Sequence, residues 1–161
     1  MKKLSFLSRL KKEGKLELVE SSEEICSSYL DKADNCLKSA RILLQNNLYE
    51  NSISMSYYTM YNSLTALLFK TGIKCENHTG SIILFKKLFK RTDLFKIISF
   101  AKRERIDRQY YVTSKNNFVL TKESAQDLLI KTEDFLIKIK LIIRNLRKEE
   151  IEKLRENFKG I

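Results

Sequence analysis

An all-α protein, folded as an antiparallel helical bundle of about five main helices with a short helix before them, is what this sequence predicts. Three observations carry that expectation. The chain of 161 residues has no Pro, four Gly and no Trp, so the punctuation that strands and tight turns need is scarce. Residues Asn51 to Phe69 contain no charge, although 32% of the chain is charged. Apolar residues elsewhere recur at steps of three and four, the period of a helix face.

The uncharged stretch NSISMSYYTMYNSLTALLF is the expected centre. Ile53, Tyr57, Met60, Leu64, Leu67 and Leu68 form one stripe, and Met55, Tyr58, Ala66 and Phe69 cover much of the opposite side. A helix apolar on several sides is surrounded by partners. A membrane span is excluded, because Ser52, Ser54, Ser56, Thr59, Asn62, Ser63 and Thr65 interrupt the run too often for a segment facing lipid.

Residues 1–12 place Leu4, Leu7 and Leu10 at steps of three among basic residues, which predicts a short amphipathic helix lying on the bundle or on a partner, ended by Gly14. Ser21 or Ser22, followed by Glu23 and Glu24, caps the next helix, whose stripe runs from Ile25 through Tyr29, Ala33, Cys36 or Leu37, Ala40 and Leu43 or Leu44 to about Asn46. Asn46 and Asn47 break the chain tightly, so this helix and the central one form an antiparallel hairpin. Gly72 stops the central helix. Residues 73–79 read as a loop carrying His78, and 80–90 as a short helix. Thr92 and Asp93 open a helix to about Val112, Ser114 to Leu120 is a polar loop, and Thr121 caps a long final helix with a near-heptad seam from Ala125 to Leu146. The expected division is a basic N-terminal arm (1–15), a bundle (16–147) and a charged helical extension (148–161) that protrudes for self-association or frays.

The formal charge is +11 and it is unevenly spread. Residues 1–15 hold six Lys or Arg against one acid, and residues 86–108 hold nine against three. That pattern suits a phosphate backbone or an acidic protein partner, beside the plainer reading of solvated lysine faces. Cys26, Cys36 and Cys75 lack metal spacing, and one His leaves no metal cluster. No glycine-rich phosphate loop is present. The expectation is a cytoplasmic protein with no cofactor, no metal and no membrane association.

The segment Lys102 to Val112, KRERIDRQYYV, is where chemistry is expected. On an ideal helix Arg105 falls in line with Leu94, Ile98 and Ala101, a buried face on which a guanidinium needs a carboxylate, a carbonyl or a bound phosphate. Arg103 points nearly opposite, with Tyr110 on its side, so one helix offers cations to two surfaces.

Three pieces together, SYYTMYNSLTALL, the Gly72 to Ser81 loop GIKCENHTGS, and RID-x-QYY beginning at Arg105, resemble the HEPN domain family of prokaryotes over about residues 22–147. The resemblance implies a bundle of four or five helices that commonly dimerises, and a neighbouring partner, usually a minimal nucleotidyltransferase, in toxin and antitoxin pairs. Catalytic members are metal-independent ribonucleases in which an Arg is followed, four to six residues on, by a His. Here the His slot holds Tyr110 when counted from Arg105, and Arg108 or Tyr110 when counted from Arg103. Tyr titrates near 10 and is a poor base at neutral pH. Some family toxins carry a Tyr two residues after that His which the partner modifies with nucleotide, the place Tyr110 takes if Arg108 stands for the His.

The expected function is therefore a HEPN-like protein without the intact ribonuclease motif. It binds a nucleotidyltransferase, a nucleotide or RNA through Lys102, Arg103, Arg105, Arg108, Tyr110 and His78. The alternatives are an active ribonuclease toxin using Arg105 with Tyr110 or His78, and a purely structural dimerisation module. His78 either caps the short helix and packs under the hairpin, or is brought beside Arg105.

Overall fold

A computed structural model of the chain describes residues 5–110 and 120–161, the side chains of 107–110 excepted. Seven helices and one two-stranded sheet are seen among them: α1 (Phe6–Lys12), β1 (Leu16–Leu18), α2 (Glu23–Gln45), α3 (Tyr49–Lys70), β2 (Ile73–Cys75), α4 (His78–Phe89), α5 (Thr92–Tyr110), α6 (Lys122–Asn145) and α7 (Lys148–Lys159).

The uncharged helix is the centre. Its six-residue stripe from Ile53 to Leu68 is at most 2% exposed, and α3 packs against α2, α4, α5, α6 and β2. Most of its buried hydroxyls are satisfied within the helix or across a close contact, Ser56 Oγ being the one buried without a partner among the described residues. Thr59 donates to the Met55 carbonyl (2.9 Å), Ser63 to Met60 (2.8 Å) and Thr65 to Tyr61 (2.9 Å). Ser52 donates across to the Ala40 carbonyl of α2 at 2.8 Å. Small residues on both sides of that seam, Ala33 and Ala40 against Ser52 and Ser56, are fully buried and let the two helices approach closely. The turn between them is made by Asn46 and Asn47, the latter in the left-handed region (φ 60) that Asn tolerates.

The caps fall where the sequence places them. Ser22 accepts from the Ile25 amide, and Thr121 accepts from the Ser124 amide within a reciprocal box. Three features differ from expectation. Residues 73–79 are not one loop: Ile73–Cys75 pairs antiparallel with Leu16–Leu18, in the register Leu16 to Cys75, and α4 starts two residues earlier than predicted, at His78. The cap of α4 is Asn77, whose side chain accepts from the Gly80 amide at 2.8 Å, so His78 is not the cap.

The third difference concerns the two ends, which meet. Residues 148–161 neither protrude nor fray, because α7 seats Leu154 and Phe158 in the main core beside Leu7 and Leu10 of α1. Lys11 donates to the Phe158 carbonyl (2.7 Å) and Ser8 to the Ile161 carbonyl (3.0 Å). Arg155 donates to the carbonyls of Val19 (2.8 Å), Thr71 (3.2 Å) and Gly72 (2.8 Å), a cation closing the negative end of α3. Gly72 must be Gly there. Its φ is +69, and a Cβ would lie 1.9 Å from the Arg155 guanidinium and 2.6 Å from the Val19 carbonyl oxygen.

Candidate phosphate-binding site on α5

Helix α5 buries Leu94, Ile98 and Ala101 completely against α3 and α4. Arg105, one turn beyond Ala101, continues that side and is half-buried. Its partners are aromatic, a class the helical-wheel argument did not include. The guanidinium lies 4.8 Å from the centroid of the Tyr58 ring and 5.3 Å from that of Tyr57, both on α3. An arginine over aromatic faces is held in place while its N–H groups stay available in the ring plane.

Tyr57 joins Arg105 to His78. The Tyr57 hydroxyl lies 2.7 Å from His78 Nδ1, and the imidazole stacks on Tyr61 with centroids 3.7 Å apart and planes 11° from parallel. Tyr57 is fully buried. Burial, ahead of the neighbouring Tyr61, holds its phenol well above the usual value and therefore protonated. Burial first, then the nearby Arg105 and Lys102 cations, push His78 below its usual 6.5. The imidazole is accordingly neutral at pH 7. Where Tyr57 donates to Nδ1, the imidazole proton sits on Nε2.

Lys102 completes the group from the next turn of α5, donating to Thr79 Oγ1 at the start of α4. Burial and then Arg105 lower its pKa. Three elements thus bring together an arginine, a lysine and a neutral histidine around the buried Tyr57 and the half-buried Tyr58 and Tyr61, with no ion pair between Arg105 or Lys102 and any carboxylate of the described residues.

Two open grooves flank α5. The first, of about 560 Å³, runs along the α2 and α3 hairpin past Ile42, Leu43, Met55 and Tyr58 to Arg105, with Glu50 and Asn51 on its wall. The second, of about 640 Å³, lies between α4 and α5. Its lining is Thr79, Ile82, Ile83, Phe95, Lys96, Ser99, Lys102 and Arg103, three cations and no acid. The expected opposition of Arg103 and Arg105 is therefore what the helix presents: Arg103 is exposed in the second groove and Arg105 lies in the first. Arg108 and Tyr110 belong to α5 by their backbone, and their side chains lie outside the described residues.

The sequence reading missed Tyr57, Tyr58 and Tyr61 as site residues and assigned Tyr57 to the core. The signal was present in SYYTMY: Tyr57 and Tyr61 are one turn apart on one face, beneath the only cation expected to be buried. It also missed Glu104, which is 8% exposed on α5 beside Arg105. Among the described residues no group of three His, Cys, Asp or Glu side chains is placed to hold a metal ion, and no helix is long and apolar enough to cross a membrane.

The fold and site define an all-α helical bundle in which a cationic helix is laid over tyrosines and flanked by open grooves. Comparison with known proteins gives the family. A sequence profile of the HEPN domain matches residues 26–156, and the chain belongs to that family. It is 32% identical over 128 residues to the "Putative toxin MJ0142" of Methanocaldococcus jannaschii, covering 75% of this chain and 84% of that protein. It is 28% identical over 131 residues to a second protein of that organism, "Putative toxin MJ0605", covering 77% and 92%. A "UPF0332 protein" of Thermotoga maritima is 26% identical over 137 residues, covering 81% and 99%.

Proposed function

We propose that this HEPN protein binds the phosphate backbone of single-stranded RNA, or the phosphates of a nucleotide, along α5. Arg105 is the central contact, with His78 joined to it through Tyr57 and with Lys102, Arg103 and Lys96 lining the second groove across the helix. The observation that carries the proposal is Arg105 itself: a half-buried guanidinium held on two tyrosine rings, with its charge unanswered by the described carboxylates. A cation kept in that state costs stability unless a ligand uses it. Arg108 and Tyr110 extend the proposed surface by sequence position. Arg103 followed by Arg108, where catalytic relatives have His, supports a binder whose ribonuclease motif is degenerate. The toxin names of the two relatives from Methanocaldococcus jannaschii support a toxin-like role, and the partner that the family resemblance implies for such a role is a minimal nucleotidyltransferase.

Binding through phosphates is tested by titrating a labelled single strand at rising salt. Each neutralised phosphate contributes about −0.7 to the slope of log K against log salt. A contact through the four cations Arg105, Lys102, Arg103 and Lys96 predicts a slope near −3, reduced in magnitude by about 0.7 in Arg105→Gln. A flat salt response would contradict the proposal.

One observation favours a second reading, metal-independent RNA cleavage. His78 is neutral, and Tyr57 links it to Arg105, so a base and a phosphate-holding cation share one site although their sequence spacing is wrong. Incubating the protein with bulk RNA in EDTA separates the two. Cleavage abolished in both His78→Gln and Arg105→Gln selects the enzyme, and intact RNA selects the binder.

A further inference from the structure

The groove that ends at Arg105 changes character along its length. Glu50, Asn51, Met55 and Tyr58 recur at helical steps of one, three and four, so they share one face of α3, and Ile42 of α2 lines the same groove. At the Tyr58 end stands the Arg105 guanidinium, 4.8 Å from the ring centroid. The middle is apolar. Met55 is half-buried and Ile42 is 49% exposed, so the fold leaves both without a full cover. At the far end Glu50 and Asn51 are exposed in the first turn of α3, and neither side chain has a hydrogen bond or ion pair among the described residues. From Glu50 to Tyr58 the helix rises about 12 Å, at about 1.5 Å per residue.

A guanidinium at one end and a carboxylate at the other do not suit a run of phosphates, because Glu50 would repel the second of them. They suit one nucleotide lying lengthwise, with its phosphate on Arg105, its base over Met55 and Ile42, and the far edge of the base against Glu50 and Asn51. We propose that this groove is a nucleobase site that selects guanine in single-stranded RNA. The proposal rests on the phosphate reading of Arg105 and adds the base to it.

The choice of guanine follows from what a carboxylate can do. When ionised it only accepts hydrogen bonds. Among the four RNA bases, guanine presents two adjacent donors, N1–H and the N2 amino group, which one carboxylate takes together. Its O6, next along that edge, accepts from the Asn51 amide. Adenine sets its N1 lone pair, and cytosine its N3 lone pair, beside the amino donor. Uracil has one donor between two carbonyls. Each of these brings an acceptor against the carboxylate, which costs binding. The groove, of about 560 Å³, lies within the roughly 300 to 1,000 Å³ range of small-ligand sites.

Fluorescence anisotropy of the full chain with short end-labelled oligouridylate strands, whose central residue is G, A, C or inosine, tests this. The G strand is expected to bind at least about tenfold tighter than the A and C strands, the discrimination of one bidentate base contact. Inosine keeps N1–H and O6 but lacks the amino group, so it is expected to fall between G and A. Glu50→Gln, at an exposed position and with thermal melts as the fold control, is expected to erase the preference for G and leave binding that still weakens with salt. Equal affinity for all the strands, with that salt dependence intact, overturns the guanine site and spares the phosphate reading. So does a preference for G that Glu50→Gln leaves unchanged, which places the selecting group elsewhere. Binding of no strand, or binding indifferent to salt, overturns both. Guanosine monophosphate that displaces the G strand where adenosine monophosphate does not supports a site that a free nucleotide also fills, and a G preference seen in strands only supports RNA as the source.

Discussion

Burial is the first cause of the lowered His78 pKa, and Arg105 and Lys102 lie close enough to lower it further; the chain's single histidine lets this be measured without assignment. The perturbation is Arg105→Gln, which keeps length and hydrogen-bonding capacity and removes the charge. The guanidinium is 5.3 Å from the Tyr57 centroid and that centroid is 5.9 Å from the imidazole, so the two charges are at most about 11 Å apart. At that separation Coulomb's law gives about 0.4 kcal/mol in a water-like medium and about 1.5 kcal/mol at an effective dielectric near 20. Part of the separation is filled by a buried ring, so the effect belongs toward the upper figure. The assay is a proton NMR titration of the imidazole Cε1–H line. In the wild type its midpoint lies below 6.5, for burial first and the two cations second. Arg105→Gln moves the midpoint upward, while burial keeps it under 6.5. A wild-type midpoint at or above 6.5, or one indifferent to Arg105→Gln, would refute the assembly of this site.

The other predictions address stability. Because the folded-state pKa of His78 is depressed, the unfolded chain binds more protons, and the associated stability is present above pH 6.5 and lost as pH falls below it. Thermal melts should drop on acidification from pH 7 to 5, and His78→Gln should remove part of that slope. Gly72→Ala forces a left-handed backbone on an L side chain and drives Arg155 off its carbonyls, so urea unfolding should show a loss of about 3 to 5 kcal/mol. Phe158→Ala should cost about 3 kcal/mol in the same assay, since that ring is 4% exposed in the main core, whereas a protruding tail would lose under about 0.5 kcal/mol.

The helices were legible because their signals are local. The α3 stripe, the Ser22 and Thr121 caps, the Asn46 and Asn47 turn and the stop at Gly72 each depend on residues within one or two turns, where propensity and periodicity act. Strands β1 and β2 escaped because three residues are too few to show alternation, and each is specified by a partner more than 50 residues away. The docking of α7 escaped for a similar reason. Leu154 and Phe158 make the same pattern on a helix that packs as on one that protrudes, and Arg155 finds its carbonyls at a distance of 83 to 136 residues in sequence. At the site, the wheel placed Arg105 on the buried side, because burial follows from period alone. It could not show that the rings of Tyr57 and Tyr58 would receive the charge, nor that Tyr57 would bond His78, because α3, α4 and α5 meet only in the folded chain.

The central claim is that RNA phosphate docks where Arg105, Lys102 and His78 converge. The most direct measurement is the His78 Cε1–H line of the full chain as a single-stranded RNA oligonucleotide is added. The account predicts that the line shifts and its midpoint rises, because a phosphate offsets the two cations, and that Arg105→Gln abolishes the response while Lys153→Gln on α7 preserves it. RNA that binds with the His78 line unmoved, or that moves it equally in Arg105→Gln, would contradict the claim.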